Sequence, residues 1–168
     1  MKQKILPTII LLLILFVVFF FIYMKFYNEE KQTVTSGVKI YETACGGYKT
    51  GEIKIDSKIL SVDIADDKCK QDLGLSGRML MKDNGGIIFI FEKLGNYGFW
   101  MKNMNFSLDI IWIDDKFKIV GIEKNLSTST YPKSFGSKYL AKYVLEVSAG
   151  YSIKNNVKVG DRIIFSKK

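Results

Sequence analysis

The chain has 168 residues, 48% of them hydrophobic, with 25 Lys and Arg against 17 Asp and Glu, no His and two Cys. That length holds one domain plus an appendage. Without His the commonest general base and metal ligand are missing, and two cysteines cannot close a zinc site, so no cofactor or metal is expected.

Residues 5–24 carry no charge, and apart from Pro7, Thr8 and the Tyr23 hydroxyl they are apolar. Twenty helical residues reach about 30 Å, the thickness of a bilayer core. A cleavable signal peptide would have a shorter apolar run and a small-residue cleavage site directly after it. Here Met24-Lys25-Phe26-Tyr27 follows instead, and Val34-Thr35-Ser36 lies well beyond the run. Residues 1–27 therefore read as an uncleaved single-pass anchor, with the membrane as a partner through residues 5–24. Lys2 and Lys4 favour a cytoplasmic amino terminus and an extracytoplasmic domain, whereas Lys25 and Lys31 weigh the other way. Residues 28–38 are polar and mixed and read as a tether, with the domain proper over 39–168.

Setting Lys2 and Lys4 aside leaves 23 basic and 17 acidic residues, still a basic excess. The lysines stand singly rather than in runs, so nucleic acid is not an expected partner. Cys45 and Cys69 are candidates for a disulfide. In an oxidising compartment they would close a loop of about 25 residues, stabilising by roughly 3 kcal/mol on a chain-entropy basis; in a reducing one they are two free thiols.

From Lys39 on, short apolar runs are split by Gly, Asp, Asn and Lys. Strands are predicted over Glu52–Ile55 and Lys58–Ala65, the second with Leu60, Val62 and Ile64 alternating with Ser61 and Asp63. Asp66–Leu73 suits a short helix capped by Asp66 or Asp67 and ended by Gly74. Asn84-Gly85-Gly86 is a turn, Ile87–Phe91 a central strand, and Tyr97–Met101 a return into the sheet. Leu108–Ile113 and Phe117–Ile122 flank a turn at Asp114-Asp115-Lys116. Leu126–Gly136 is a polar loop, Tyr143–Val147 a strand, Ala149–Asn155 a helical turn, and Arg162–Phe165 a closing strand. The fold class is all-β, a mostly antiparallel sandwich or barrel with one or two short helices, preceded by one transmembrane helix.

Charges inside apolar strands need partners. Trp100, Lys102, Asn103 and Asp109 are thus candidates for a polar ligand pocket, with Lys102 and Asp109 either in a site or in a structural ion pair. Arg78 stands out among lysines because a guanidinium makes bidentate contacts; it is a candidate clamp for Glu146 or for a turn. Glu146, between Leu145 and Val147, is either an acid or base with a raised pKa or the partner of Arg78 or Lys102. Trp100, Lys102, Asp109 and at least one of Arg78 or Glu146 are expected to converge on one concave face. Two functions follow. One is a tethered binding or accessory module for a small polar or envelope-derived ligand or a neighbouring protein. The other is a hydrolase or isomerase of a sugar-like substrate using Lys102, Asp109 and Glu146.

The chain also carries an ordered series of motifs: Gly74-Leu75-Ser76-Gly77-Arg78, Gly86-Ile87-Ile88-Phe89-Ile90-Phe91, Phe99-Trp100-Met101-Lys102-Asn103-Met104 and Leu108-Asp109-Ile110-Ile111-Trp112-Ile113-Asp114. Tyr131-Pro132, Tyr143-Val144-Leu145-Glu146-Val147-Ser148-Ala149-Gly150 and Gly160-Asp161 complete it. This series resembles the domain of unknown function 192 family over roughly Glu52 to Phe165. The resemblance implies a compact, mostly antiparallel β-domain, often exported or anchored in prokaryotes, and no established activity. The chain departs from the family at the short helix, where Asp67-Lys68-Cys69-Lys70-Gln71 replaces a Thr-Pro-Glu-Glu-Arg-like start. Ile87-Ile88-Phe89 also lacks the usual Met.

Overall fold

The computed structural model describes residues 5–43, 45–82, 84–136 and 138–168, with side chains of the first segment described for 9–29. The chain divides into two units, Met1–Lys39 and Ile40–Lys168.

Helix α1 runs Ile5–Thr43 and makes up most of the first unit. Pro7 falls in its first turn, where a missing N–H breaks no helical bond. Within α1, Ile9–Glu29 is long and apolar enough to cross a bilayer, and its residues are not buried against protein. The backbone stays helical through 28–38, the segment read as a tether. Glu29, Glu30, Lys31 and Gln32 are good helix formers, and Lys25 lies 4.0 Å from Glu29 one turn on.

The second unit is one seven-stranded sheet: β1 (Lys49–Ile55), β2 (Lys58–Ala65), β3 (Gly85–Asn96), β4 (Leu108–Ile113), β5 (Ile119–Leu126), β6 (Leu140–Ser148) and β7 (Ile163–Lys167). Their spatial order is β5-β4-β6-β3-β2-β1-β7. All neighbours are antiparallel except β2 and β3. That parallel pair needs a long crossover, which carries helix α2 (Lys68–Leu73). The outer strands meet at one end. Ile119 N–H donates to Asp161 C=O at 2.9 Å, and Ile163 N–H to Phe117 C=O at 2.9 Å. The sheet therefore curls back on itself, which hides edges that would otherwise template aggregation.

Each face of the sheet has its own core. Inside the curl, every strand contributes: Ile53, Leu60, Ile64, Ile88, Ile111, Ile119, Leu145 and Ile163 are among the packed residues. On the outer face Ile87, Phe89, Ile110, Trp112 and Val144 lie under α2 and the loops, with Leu75, Met101 and Phe135 packed onto them. A strand covered on both faces is buried at every position, as Leu108–Ile113 is, and apart from Asp109 its residues are apolar, as such coverage requires. Trp112 needs a close backbone on this face. A Cβ on Gly136 would lie 1.9 Å from the Trp112 ring, and Gly136 has φ +80°, so only glycine fits.

Besides the tether, three expected elements differ. Gly85 and Gly86, expected in a turn, open β3. Tyr97–Met101 is not a sheet strand; it makes one isolated bridge, Phe99 to Phe135. The strand placed at Phe117–Ile122 is β5, Ile119–Leu126, because Asp114 accepts from Lys116 N–H (2.9 Å) and Lys118 N–H (2.8 Å) and lengthens the turn. The short helix α2 has the caps the sequence suggests. The Asp67 side chain accepts from Lys70 N–H, and Gly74 closes the far end.

Cys45 and Cys69 form a disulfide, with Cα atoms 5.8 Å apart. Tyr48 O–H donates to Gly74 C=O at 3.1 Å. The two links strap the start of the domain across both ends of α2. With 24 residues of sequence separation, reduction should lower the stability of the β-domain by roughly 3 kcal/mol. Urea denaturation with and without reductant measures this, and coincident curves would show that the strap adds nothing.

Candidate functional site

A short turn helix, α3 (Tyr151–Lys154), follows β6 and explains Asp109. The Asp109 carboxylate is 0% exposed. It accepts from Asn125 N–H (2.8 Å), Gly150 N–H (3.1 Å) and Ser152 N–H (2.8 Å). The side chain thus fastens the end of β5 and the β6–α3 turn to β4. Asp109 pairs with Val147, on the inner face, whereas Glu146 pairs with Ile110, on the outer face. Strand side chains alternate, so neighbours one register apart point oppositely.

The expected convergence of Lys102 with Asp109 is therefore corrected. Asp109 is saturated by three backbone donors on the inner face, and Lys102 lies on an outer loop. A catalytic trio of Lys102, Asp109 and Glu146 is not assembled, since its two carboxylates face opposite sides of one sheet.

Glu146 belongs to a second arrangement. Asp63 and Glu146 flank Ile87 across neighbouring strands, on one face of the sheet. Arg78, from the loop after α2, donates to Asp63 Oδ2 at 2.7 Å and lies 5.0 Å from the Tyr48 ring centre. Its Nη2 is buried without a protein acceptor. Burial pushes the Glu146 carboxyl up to about 8, against the opposing pull of the Arg78 charge. Burial thus favours the protonated form of Glu146, and Arg78 is held by Asp63 rather than by Glu146. Sequence reasoning missed Asp63 and Tyr48. Asp63 sits on the polar side of an alternating strand, the side that looks solvent-facing until the parallel crossover covers it.

The third arrangement is an open groove of about 720 Å³ between α2, β3 and the loop 97–103. It contains Trp100, Lys102 and Asn103 from the expected set, with Phe89, Phe91, Tyr97 and Phe99 as aromatic wall and Lys68, Gln71, Asp72, Ser76 and Asn96 as polar rim. The loop backbone builds it. Phe99 is locked to Phe135 by paired hydrogen bonds of 2.9 and 2.8 Å, and Met101 is 1% exposed in the outer core. An extended chain alternates, so with Phe99 and Met101 inward Trp100 must face outward.

Trp100 is 56% exposed. Lys102 Nζ lies 5.8 Å from its ring centre, and the Tyr131 ring meets it edge-on at 6.2 Å. Asn103, at φ +56°, reverses the chain; its C=O accepts from Gly77 N–H at 2.8 Å. Ser76 Oγ donates to Lys102 C=O at 3.1 Å. Phe91 and Tyr97 stack at 3.6 Å on the groove wall, and Gln71 Nε2 donates to Ile90 C=O at 2.8 Å, holding α2 against β3. The groove is a half-aromatic surface in which the side chains of Asn96, Lys102 and Asn103 make no hydrogen bond among the described residues, which suits binding a small polar molecule. Among the described residues no cluster of carboxylates or cysteines has the makeup of a metal site.

Residues 51–165 match the model of a family described as "Uncharacterized ACR", domain of unknown function 192. Two solved structures share the fold. A Sinorhizobium meliloti 1021 protein described as a candidate transcription regulator is 28% identical, with a TM-score of 0.64 over 70% of this chain and 95% of its own. A Novosphingobium aromaticivorans DSM 12444 protein of unknown function is 23% identical, with a TM-score of 0.62 over 74% of this chain and 95% of its own. The shared domain makes up nearly all of each relative, so it forms a complete folding unit there. No curated protein matches the chain.

Proposed function

The chain belongs to the domain of unknown function 192 family, and we propose that this member is a membrane-tethered binding module taking a small polar ligand in the Trp100–Lys102 groove. The apolar span of α1 supports the tether. The Cys45–Cys69 disulfide supports an extracytoplasmic domain, because such bonds persist in oxidising compartments.

The observation that carries the binding role is Trp100. A tryptophan left 56% exposed on a backbone pinned at both sides is a large apolar surface kept in water. Leaving such area unburied forgoes roughly 25 cal/mol per Å², and exposed aromatic surface beside polar groups marks recognition sites. The ring offers a flat face for a sugar-like ring, while Lys102, Asn103 and Asn96 offer hydrogen bonds at its edge.

The test uses residues 45–168, a unit with its own cores and disulfide. Quenching or blue-shift of tryptophan fluorescence on adding a soluble β-1,4-linked glucose or glucuronate tetramer is expected. Trp112 is buried, so Trp100 dominates the response. Trp100→Ala, which lacks the reporting ring and is therefore titrated by calorimetry, should bind at least about 1 kcal/mol more weakly, near fivefold, the scale of one lost aromatic contact, while leaving the melting temperature within a few degrees. Unchanged affinity in this variant would remove the groove from consideration.

A further inference from the structure

We infer that the groove's ligand is an acidic saccharide, whose ring stacks on Trp100 while its carboxylate pairs with Lys102. The inference rests on the binding reading above and narrows it to a charge.

The groove's charged lining is Lys68, Asp72 and Lys102. Lys68 and Asp72 pair one turn apart on α2 and cancel. Among the described residues Lys102 has no carboxylate partner; its recorded contact is the Trp100 ring. The groove therefore presents one uncompensated positive charge beside an exposed aromatic face. The charge is also well placed, because both neighbours of Lys102 are held. Met101 is buried, the Lys102 carbonyl accepts from Ser76, and the Asn103 carbonyl accepts from Gly77. A fixed backbone loses little freedom on binding, so the pairing is favoured over that of a lysine on a free loop.

A purely apolar ligand would leave Lys102, Asn96 and Asn103 without use, and a compact anion would leave the aromatic face bare. A sugar ring meets an indole through its C–H face and offers hydroxyls to amides at the rim. A carboxylate on that ring answers the lysine. The basic excess that remains without Lys2 and Lys4, 23 basic against 17 acidic residues, adds a general attraction for anions, which salt screens within about 8–10 Å.

The probes are cellotetraose and its C6-oxidised counterpart, the β-1,4-glucuronate tetramer, which differ only in carrying CH2OH or carboxylate. Isothermal titration of residues 45–168 compares them at about 0.05 and about 0.5 M salt. The glucuronate tetramer is expected to bind roughly tenfold tighter at low salt, and the preference should shrink at high salt and vanish in Lys102→Gln. Trp100→Ala should weaken both probes. Equal affinity for the two probes would overturn the acidic class and leave the groove reading standing. A preference that survives in Lys102→Gln would also overturn it, placing the recognising charge elsewhere. Loss of both probes in the unmodified domain would sink the groove reading itself. Lys102 is exposed, so Lys102→Gln should fold, and a thermal melt of each variant checks that.

Discussion

Asp109→Ala is expected to cost the β-domain on the order of 5 kcal/mol, enough to leave much of it unfolded at room temperature. Three backbone donors at 2.8–3.1 Å converge on this one carboxylate in a fully buried position. Hydrogen bonds to a charged group contribute about 1.5–3 kcal/mol each, and donors left buried without an acceptor carry their whole desolvation penalty. Asp109→Asn keeps one acceptor oxygen but turns an N–H2 toward a donor, so it should fall between wild type and Ala. Urea denaturation of residues 45–168 reads the loss directly. A change under about 1 kcal/mol, the size typical of surface substitutions, would show that the carboxylate is not a structural staple and would reopen it as a site residue.

The second large effect is a pH dependence set by Glu146. Its folded pKa is raised to about 8 from 4.5 by burial, so the native state holds this proton more tightly than the unfolded chain. The stabilisation is fully present below pH 4.5 and is lost as pH rises from there through about 8. Each pH unit inside that window is worth about 1.4 kcal/mol, giving a total on the order of 5 kcal/mol. The domain should thus lose stability from pH 5 to pH 8, the reverse of a protein held by ionised carboxylates. Glu146→Gln should flatten that slope and be the more stable form at pH 8. A Glu146→Gln domain with the same slope as wild type would contradict the assignment, since the proton would then belong to another group.

The fold was largely legible because burial on both faces writes itself into composition. Ile87–Phe91 reads as a central strand from its unbroken apolar run, Leu108–Ile113 as a strand beside the Asp114-Asp115-Lys116 turn, and Asp66 or Asp67 with Gly74 marks α2 by capping chemistry. What was not legible was the parallel pairing of β2 with β3. Register and strand order depend on which faces the crossover covers, and no local period records that. The same gap explains the site. Trp100, Lys102 and Asn103 come together because they are consecutive on one pinned loop. Asp109, only seven residues beyond Lys102, was grouped with them by proximity in the chain, yet strand alternation sends it to the other face. Arg78 stands out among lysines in the sequence, but its partners Asp63 and Tyr48 come from β2 and the strap after Cys45, brought in by tertiary packing alone. Gln71, Asn96 and Tyr97 in the groove gave no signal beyond being polar or aromatic near turns.

On the proposed function, ligand meets this protein at the Trp100–Lys102 groove. Amide and indole chemical-shift mapping tests it most directly, with ¹⁵N-labelled residues 45–168 titrated with cellotetraose and with the glucuronate tetramer to about 10 mM, enough to detect millimolar affinities. Shifts are expected to centre on the Trp100 indole N–H, the Lys102 and Asn103 amides and the Asn96 and Asn103 side-chain amides, with Asn125, Gly150 and Ser152 around Asp109 unmoved. Shifts clustered instead about Arg78 and Glu146, or none with either probe, would place the ligand elsewhere or remove it.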